Sequence, residues 1–213
     1  MKEKRQFITI PLVVSILSFI AGSISYFFIK DQIPIHWNSN WKVDRTVPRE
    51  MVFLISALPL ALYLLLGTKK NVITSAKGNR ISVIACTYLL VGVQWISIAT
   101  ALKVKINMEL VIPCMIGVFF MIIGNFMPTI SRNRMVGFRT PWSVRSDLSW
   151  KKTNRIGGYL MSMIGIVFII SGIFQKKFLN YISVIAFVLI LIVCIFISYH
   201  YWKIDPERRR QTS

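Results

Sequence analysis

The sequence predicts an all-α fold, a polytopic membrane bundle of six transmembrane helices with cytoplasmic N- and C-termini. Three observations carry that prediction. The 213-residue chain is 54% hydrophobic and only 16% charged, with a mean hydropathy of +0.59. Soluble domains carry nearer a quarter charged residues. The apolar residues gather in six long runs, and about 20 helical residues at 1.5 Å each cross a hydrocarbon core. Finally, the 26 Lys/Arg and 8 Asp/Glu, a net charge of +18, fall in short segments between those runs. Segments of that length cannot fold as a DNA-binding domain, so topogenic charge explains the basic excess better than direct nucleic-acid contact.

The spans are read at 7–29, 51–67, 81–102, 110–127, 156–174 and 179–202. The first follows a basic tail and contains Ala21-Gly22-Ser23, features shared with signal peptides. Its apolar run continues through Phe27 and Phe28 to Ile29, too long for a typical signal core, which favours a retained signal-anchor. Pro11, Pro59 and Pro113 lie in the first, second and fourth spans, where neighbouring helices can resatisfy the freed carbonyls, and are expected to mark kinks. In the fifth span, Gly158, Ser162, Gly165 and Gly172 share one helix face that another helix can approach closely. That face serves either packing within the bundle or the seam of a homo-oligomer.

No span contains Asp, Glu, Lys or Arg. The buried titratable pairs of an intramembrane enzyme are therefore lacking, and ion-coupled export loses its usual proton carriers. Cys86, Cys114 and Cys194 all sit in apolar runs without a CxxC neighbour, which supports neither a metal site nor a disulfide framework. The sequence thus predicts no enzyme, metal or cofactor.

Charge sets the orientation. With six spans and an inside N-terminus, the inner segments hold three Lys/Arg in the N-tail, four in 68–80, seven in 128–155 and four in the C-tail. The outer segments hold the remaining eight. Basic residues are retained in the cytoplasm, so residues 30–50 are expected outside and residues 128–155 inside. The chain then divides into an N-terminal helix pair with its outer loop, 1–67, and a four-helix region with its basic inner loop, 68–213.

The outer loop carries "IPIHWNSNWKVD", residues 33–44. Proline disfavours helix for the residue before it, so the first helix should end by Gln32. His36, Trp37 and Trp41 then fall at headgroup depth, where amphipathic rings are favoured. A metal site needs three or four converging ligands, and the other histidine, His200, lies on the opposite side by this topology. Asp44 could orient His36, but no nucleophile is near. The two readings left are an interfacial tryptophan belt with a solvated histidine, and a folded cap in which His36, Trp37, Asn38, Trp41 and Asp44 meet a ligand.

The inner loop begins with Asn125, whose amide at that depth is expected to need a partner in the bundle. Pro128 should end the fourth helix. Gly137 lies in a non-periodic stretch and can supply a positive φ. Thr140-Pro141 reads as an N-cap followed by proline at the first helical position, which predicts a short helix starting there. Trp142 and Trp150 are expected to anchor the loop at the inner interface. Attraction to anionic lipid headgroups would use the same basic charge. It does not require Arg139-Thr140-Pro141-Trp142 or a glycine at a turn, so the mixture points to a fold or docking surface.

The two loops resemble the two signatures of the SdpI immunity-protein family. Ile33, Pro34, His36, Trp37, Asn38 and Asp44 resemble its I-P-x-H-W-N…D element. Trp41 stands where the family usually has glycine, which predicts a different turn geometry. The second signature is matched by Gly124, Asn125, Met127, Pro128, Asn133, Gly137, Arg139, Thr140, Pro141, Trp142, Trp150, Thr153, Arg155, Gly157 and Gly158. Asn154 stands where histidine is common, so an imidazole is not required there.

The resemblance implies a multipass protein of the bacterial cell membrane that protects its host from an exported toxic peptide. It also implies a receptor that holds a cytosolic transcriptional repressor at the membrane once the peptide is bound. On that reading the outer loop faces the peptide. The inner loop, with Asn125, Pro128, Asn133, Gly137, Arg139, Thr140, Pro141, Trp142, Trp150 and Arg155, faces the repressor or supports the surface that does. A small transporter or channel exporting the peptide or a lipid-like substrate is the alternative, and a structural assembly factor a further one.

Overall fold

A computed structural model describes residues 2–67, 77–133 and 136–207. The basic 68–76 stretch, Arg134 and the Arg208–Arg210 run, which enter the charge count above, lie outside the described residues. Among the described residues, six α-helices run in chain order: α1 (Lys2–Ile24), α2 (Val52–Leu62), α3 (Lys77–Ala101), α4 (Met108–Phe126), α5 (Asp147–Phe174) and α6 (Lys177–Lys203). Among the described residues, six helical segments are long and apolar enough to cross a membrane. They coincide with the predicted spans to within a few residues, except that the fifth begins at Asp147 rather than 156. Ser146 accounts for the earlier start: its hydroxyl accepts a hydrogen bond from the Ser149 backbone N–H at 3.0 Å and caps the helix.

Pro11, Pro59 and Pro113 all lie inside their helices. Beyond Pro59 the second span continues as a π-helical turn over Tyr63–Gly67, a local change of winding of the kind found where the regular ladder is interrupted.

The helical bundle carries one small addition. The outer loop folds into an antiparallel hairpin, β1 (Ile33–Trp37) with β2 (Val43–Val47). Ile33, Ile35, Val43, Thr46 and Val47 are β-branched and favour extended backbone. Pro34 is tolerated because the strand is an edge.

The chain forms two compact units. The first holds α1, the hairpin, α2, most of α3 and the start of α4. Ile29, Ile33, Val52, Ile98 and Ala101 form its buried apolar cluster, with Tyr26, Val47 and Ile55 packed against it. This cluster seats the hairpin base on the helix ends. Deeper in the span, Gln94 is 1% exposed. It donates to the Ser18 carbonyl at 3.0 Å and the Ser56 hydroxyl at 3.3 Å, and accepts from Ser18 Oγ at 3.1 Å. Trp95 Nε1 donates to the same Ser18 hydroxyl at 2.9 Å. Such satisfied polar contacts hold helices together where lipid removes any hydrophobic drive between them.

The second unit holds the rest of α4 with α5 and α6. The small-residue face of α5 packs against α4: a Cβ on Gly165 would lie 2.6 Å from the Gly117 carbonyl, and one on Gly124 2.5 Å from the Gly158 carbonyl. Of the two uses expected for that face, packing within the chain is the one observed. Phe120 stacks on Phe187 at 5.2 Å and meets the Phe168 edge at 5.9 Å. Outward positions of α6 such as Phe178, Ile185 and Phe196 are exposed and apolar, as a lipid-facing surface requires.

Candidate functional site

The hairpin is built from its turn outward. The Asn38 carbonyl accepts from the Trp41 N–H at 2.8 Å, and the Asn38 N–H donates to the Lys42 carbonyl at 2.9 Å. Asn38 Oδ1 also accepts from the backbone N–H groups of Asn40 and Lys42, at 2.9 and 3.2 Å. This is a three-residue loop whose last residue takes the left-handed conformation, a place normally given to glycine. Trp41 occupies it with φ +60°. A bulky residue thus carries a backbone conformation that favours glycine. Trp41 Nε1 is moreover buried with no hydrogen-bond partner among the described residues.

Pairing runs Ile33 to Val47, Pro34 to Thr46, His36 to Arg45 and Trp37 to Val43, with irregularities on both sides of His36. The pairing skips Ile35 and Asp44. The offset brings His36 Nδ1 to 2.6 Å from Asp44 Oδ1, with both side chains exposed. Trp37 and Asn38 are half-buried. The folded cap is thus the form the loop takes, with His36 and Asp44 joined across its strands. Among the described residues no group of three His, Cys, Asp or Glu side chains is placed to hold a metal.

The inner segment is more rigidly built. After α4, Met127–Thr129 forms a 3-10 turn with Pro128 inside it. Asn133 bridges the next bend, accepting from the Val136 N–H at 2.8 Å and donating to the Ser131 carbonyl at 2.7 Å. Gly137 has φ +109°, and a Cβ there would lie 2.6 Å from Asn154 Oδ1. That same oxygen accepts the Phe138 N–H at 2.8 Å, while Asn154 Nδ2 donates to the Trp150 carbonyl at 3.0 Å. Asn154, 1% exposed, therefore fixes the glycine turn onto α5, a role its position in the sequence did not disclose.

Thr140 and Ser143 cap each other. Ser143 Oγ accepts the Thr140 N–H at 2.9 Å, and Thr140 Oγ1 accepts the Ser143 N–H at 3.0 Å. The predicted short helix is consequently a 3-10 turn over Ser143–Arg145. The same hydroxyls anchor it: Ser143 Oγ donates to the Phe138 carbonyl at 2.8 Å and Thr140 Oγ1 to Ser198 Oγ at 2.7 Å. Ser149 Oγ donates to the Ser198 carbonyl at 2.7 Å, and Ser146 Oγ donates to the buried Asp205 carboxylate. Sequence reasoning missed this set. The hydroxyl three residues before Ser149, at the head of an apolar period, was the available signal.

These bonds separate supporting residues from presented ones. Trp150 is 2% exposed and donates to the Ile130 carbonyl at 2.8 Å. It is a core residue, contrary to the interfacial anchor expected. Trp142 is half-buried, edge-on to Tyr199 at 5.3 Å. Arg139 and Pro141 are exposed beside it. Arg139, Arg145 and Lys151 are exposed, and their charged side chains have no polar partner among the described residues. Arg132 pairs with Asp147 at 3.0 Å, and Arg155 Nε donates to the Tyr159 hydroxyl at 3.4 Å. Asn125 is exposed and its side-chain amide makes no hydrogen bond among the described residues, so the bundle partner expected for it is not seen there.

Comparison with known proteins places a match on each loop. Residues 129–200 match the SdpI/YfhL protein family, and residues 13–60 match a domain of unknown function, DUF1648. The chain is 25% identical over 197 residues to the immunity protein SdpI of Bacillus subtilis (strain 168), covering 91% of this chain and 95% of that protein. No solved structure matches. The resemblance to SdpI read from the loop residues is therefore borne out, and with six spans the chain is a multipass membrane protein.

Proposed function

We propose that this chain is an immunity protein protecting its bacterial host from an exported toxic peptide, a reading supported by the match of residues 129–200 to the SdpI/YfhL protein family and by the similarity to the B. subtilis immunity protein. The observation that carries the reading is the contrast between the two built loops. The hairpin presents His36 and Asp44 on exposed edges beside a half-buried, conformationally costly Trp41. The inner segment presents unpaired cations from a turn fixed by hydroxyl bonds. With both termini cytoplasmic, as the charge distribution favours, the hairpin meets the peptide outside the cell. The platform around Arg139, Pro141 and Trp142 meets a cytosolic transcriptional repressor.

A rigid turn suits the second role, because its side chains are ordered before a partner arrives and little entropy is lost on docking. The roles are separable by mutation. Arg139→Ala and Trp142→Ala should weaken membrane capture of the repressor by about tenfold or more, on the scale of interface hot spots. Peptide resistance should stay near wild type. Repressor co-fractionation with membranes, read beside survival under peptide at matched protein levels, checks this. Equal loss of both activities would contradict the division.

A further inference from the structure

A cleft of about 570 Å³ opens where the first span ends and the second begins. None of the signature residues lines it. We propose that this cleft binds the headgroup of a zwitterionic aminophospholipid, with phosphate on its basic side and ammonium on its acidic side.

Both signs of charge face the cleft: Lys30 and Arg49, and Asp31 and Glu50. Arg49 is held in place, its guanidinium 4.9 Å over the Tyr26 ring, 3.4 Å from the Ile29 carbonyl and 3.5 Å from Glu50. Lys103 reaches Asp31 at 3.0 Å from the end of α3. Lys30 has no partner among the described residues and is the counter-charge left for a phosphodiester. Glu50 is exposed beyond its long contact with Arg49 and offers oxygens to a primary ammonium. Gln32 and Thr46 hydrogen-bond to each other across the strands and close the wall.

Depth selects the ligand. The span ending at Phe27 and the span beginning at Arg49 put the cleft at headgroup level. Phe27 and Phe28, 80% and 67% exposed, precede Lys30 in the chain and offer an apolar surface to acyl chains. A free zwitterion would match the charges and leave that surface unused. An anionic lipid would match Lys30 but bring no ammonium to Glu50, whose only cationic contact among the described residues is the long one to Arg49.

Native mass spectrometry of the full chain with equimolar phosphatidylethanolamine and phosphatidylglycerol tests the assignment. The wild type should retain phosphatidylethanolamine in preference. Lys30→Gln should lower retention of both lipids roughly fivefold, the scale of one basic residue at a membrane surface. Glu50→Gln should abolish the preference while phosphatidylglycerol still binds. Lys42→Gln, at the hairpin turn, should change nothing. Soluble glycerophosphoethanolamine at lipid concentrations should displace little. Preference for phosphatidylglycerol in the wild type, unaltered retention in both cleft variants, or an equal loss in Lys42→Gln would overturn the proposal. Full displacement by the soluble headgroup would overturn the lipid as source. Loss of peptide protection in the cleft variants with bound lipid unchanged would assign the cleft to the peptide instead. The assay needs no toxic peptide, so the lipid proposal can fail while the immunity reading stands.

Discussion

At the residue scale, Trp41 concentrates two local costs. A bulky residue at φ +60° is disfavoured by roughly 1–2 kcal/mol, and its indole N–H is buried without a partner among the described residues. Strain that a glycine would relieve suggests that the ring serves something other than the fold. Trp41→Gly should therefore keep the hairpin, raise its stability by about 1 kcal/mol, and reduce protection against the peptide. Thermal unfolding in detergent and survival under peptide check the two parts. A variant that protects fully would make Trp41 only a tolerated substitution. Much of this scale was legible in the sequence. The pairing of His36 with Asp44 and the positive φ of Gly137 follow from residue type and local pattern. Trp150 was not legible, because composition places a tryptophan near an interface while its burial and its hydrogen bond to the Ile130 carbonyl make it core.

At the element scale, the six helices were legible because lipid demands long apolar runs with every backbone group bonded internally. The hairpin was not, since ten strand residues scattered among polar ones give a weak alternation beside such runs. The early start of α5 was hidden for a related reason: its first turns are polar, and hydropathy sees only the part within the membrane. Helix packing supplies a prediction whose sign is diagnostic. In an isolated helix interior, Gly→Ala normally stabilises by roughly 0.5–1 kcal/mol. At Gly117 and Gly165 the added methyl would meet the facing backbone at 2.5 and 2.6 Å, so Gly117→Ala and Gly165→Ala should lower the unfolding temperature. A rise at either position would mean that α4 and α5 do not approach closely there.

At the scale of the whole molecule, the proposed function is divided between a strained outer hairpin and a hydroxyl-bonded basic turn, with apolar helices connecting them in sequence. Charge counting supplies the expected sides of the membrane. The family match and the similarity to the B. subtilis immunity protein supply the class of activity. The hydroxyl bonds from Thr140, Ser146 and Ser149 are long-range in sequence, reaching Ser198 and Asp205, which is why no local pattern revealed these partners. The central claim is that this chain protects a cell by meeting an exported toxic peptide at its hairpin. Survival of a sensitive bacterial strain, challenged with supernatant from cells exporting the cognate peptide, tests it most directly. Three strains are compared: vector alone, wild-type protein, and the double variant His36→Ala/Asp44→Ala, with membrane levels of the two proteins matched. The wild type should restore survival, and the double variant should lose most of that protection. No rescue by correctly inserted wild type, or full rescue by the double variant, would contradict the account.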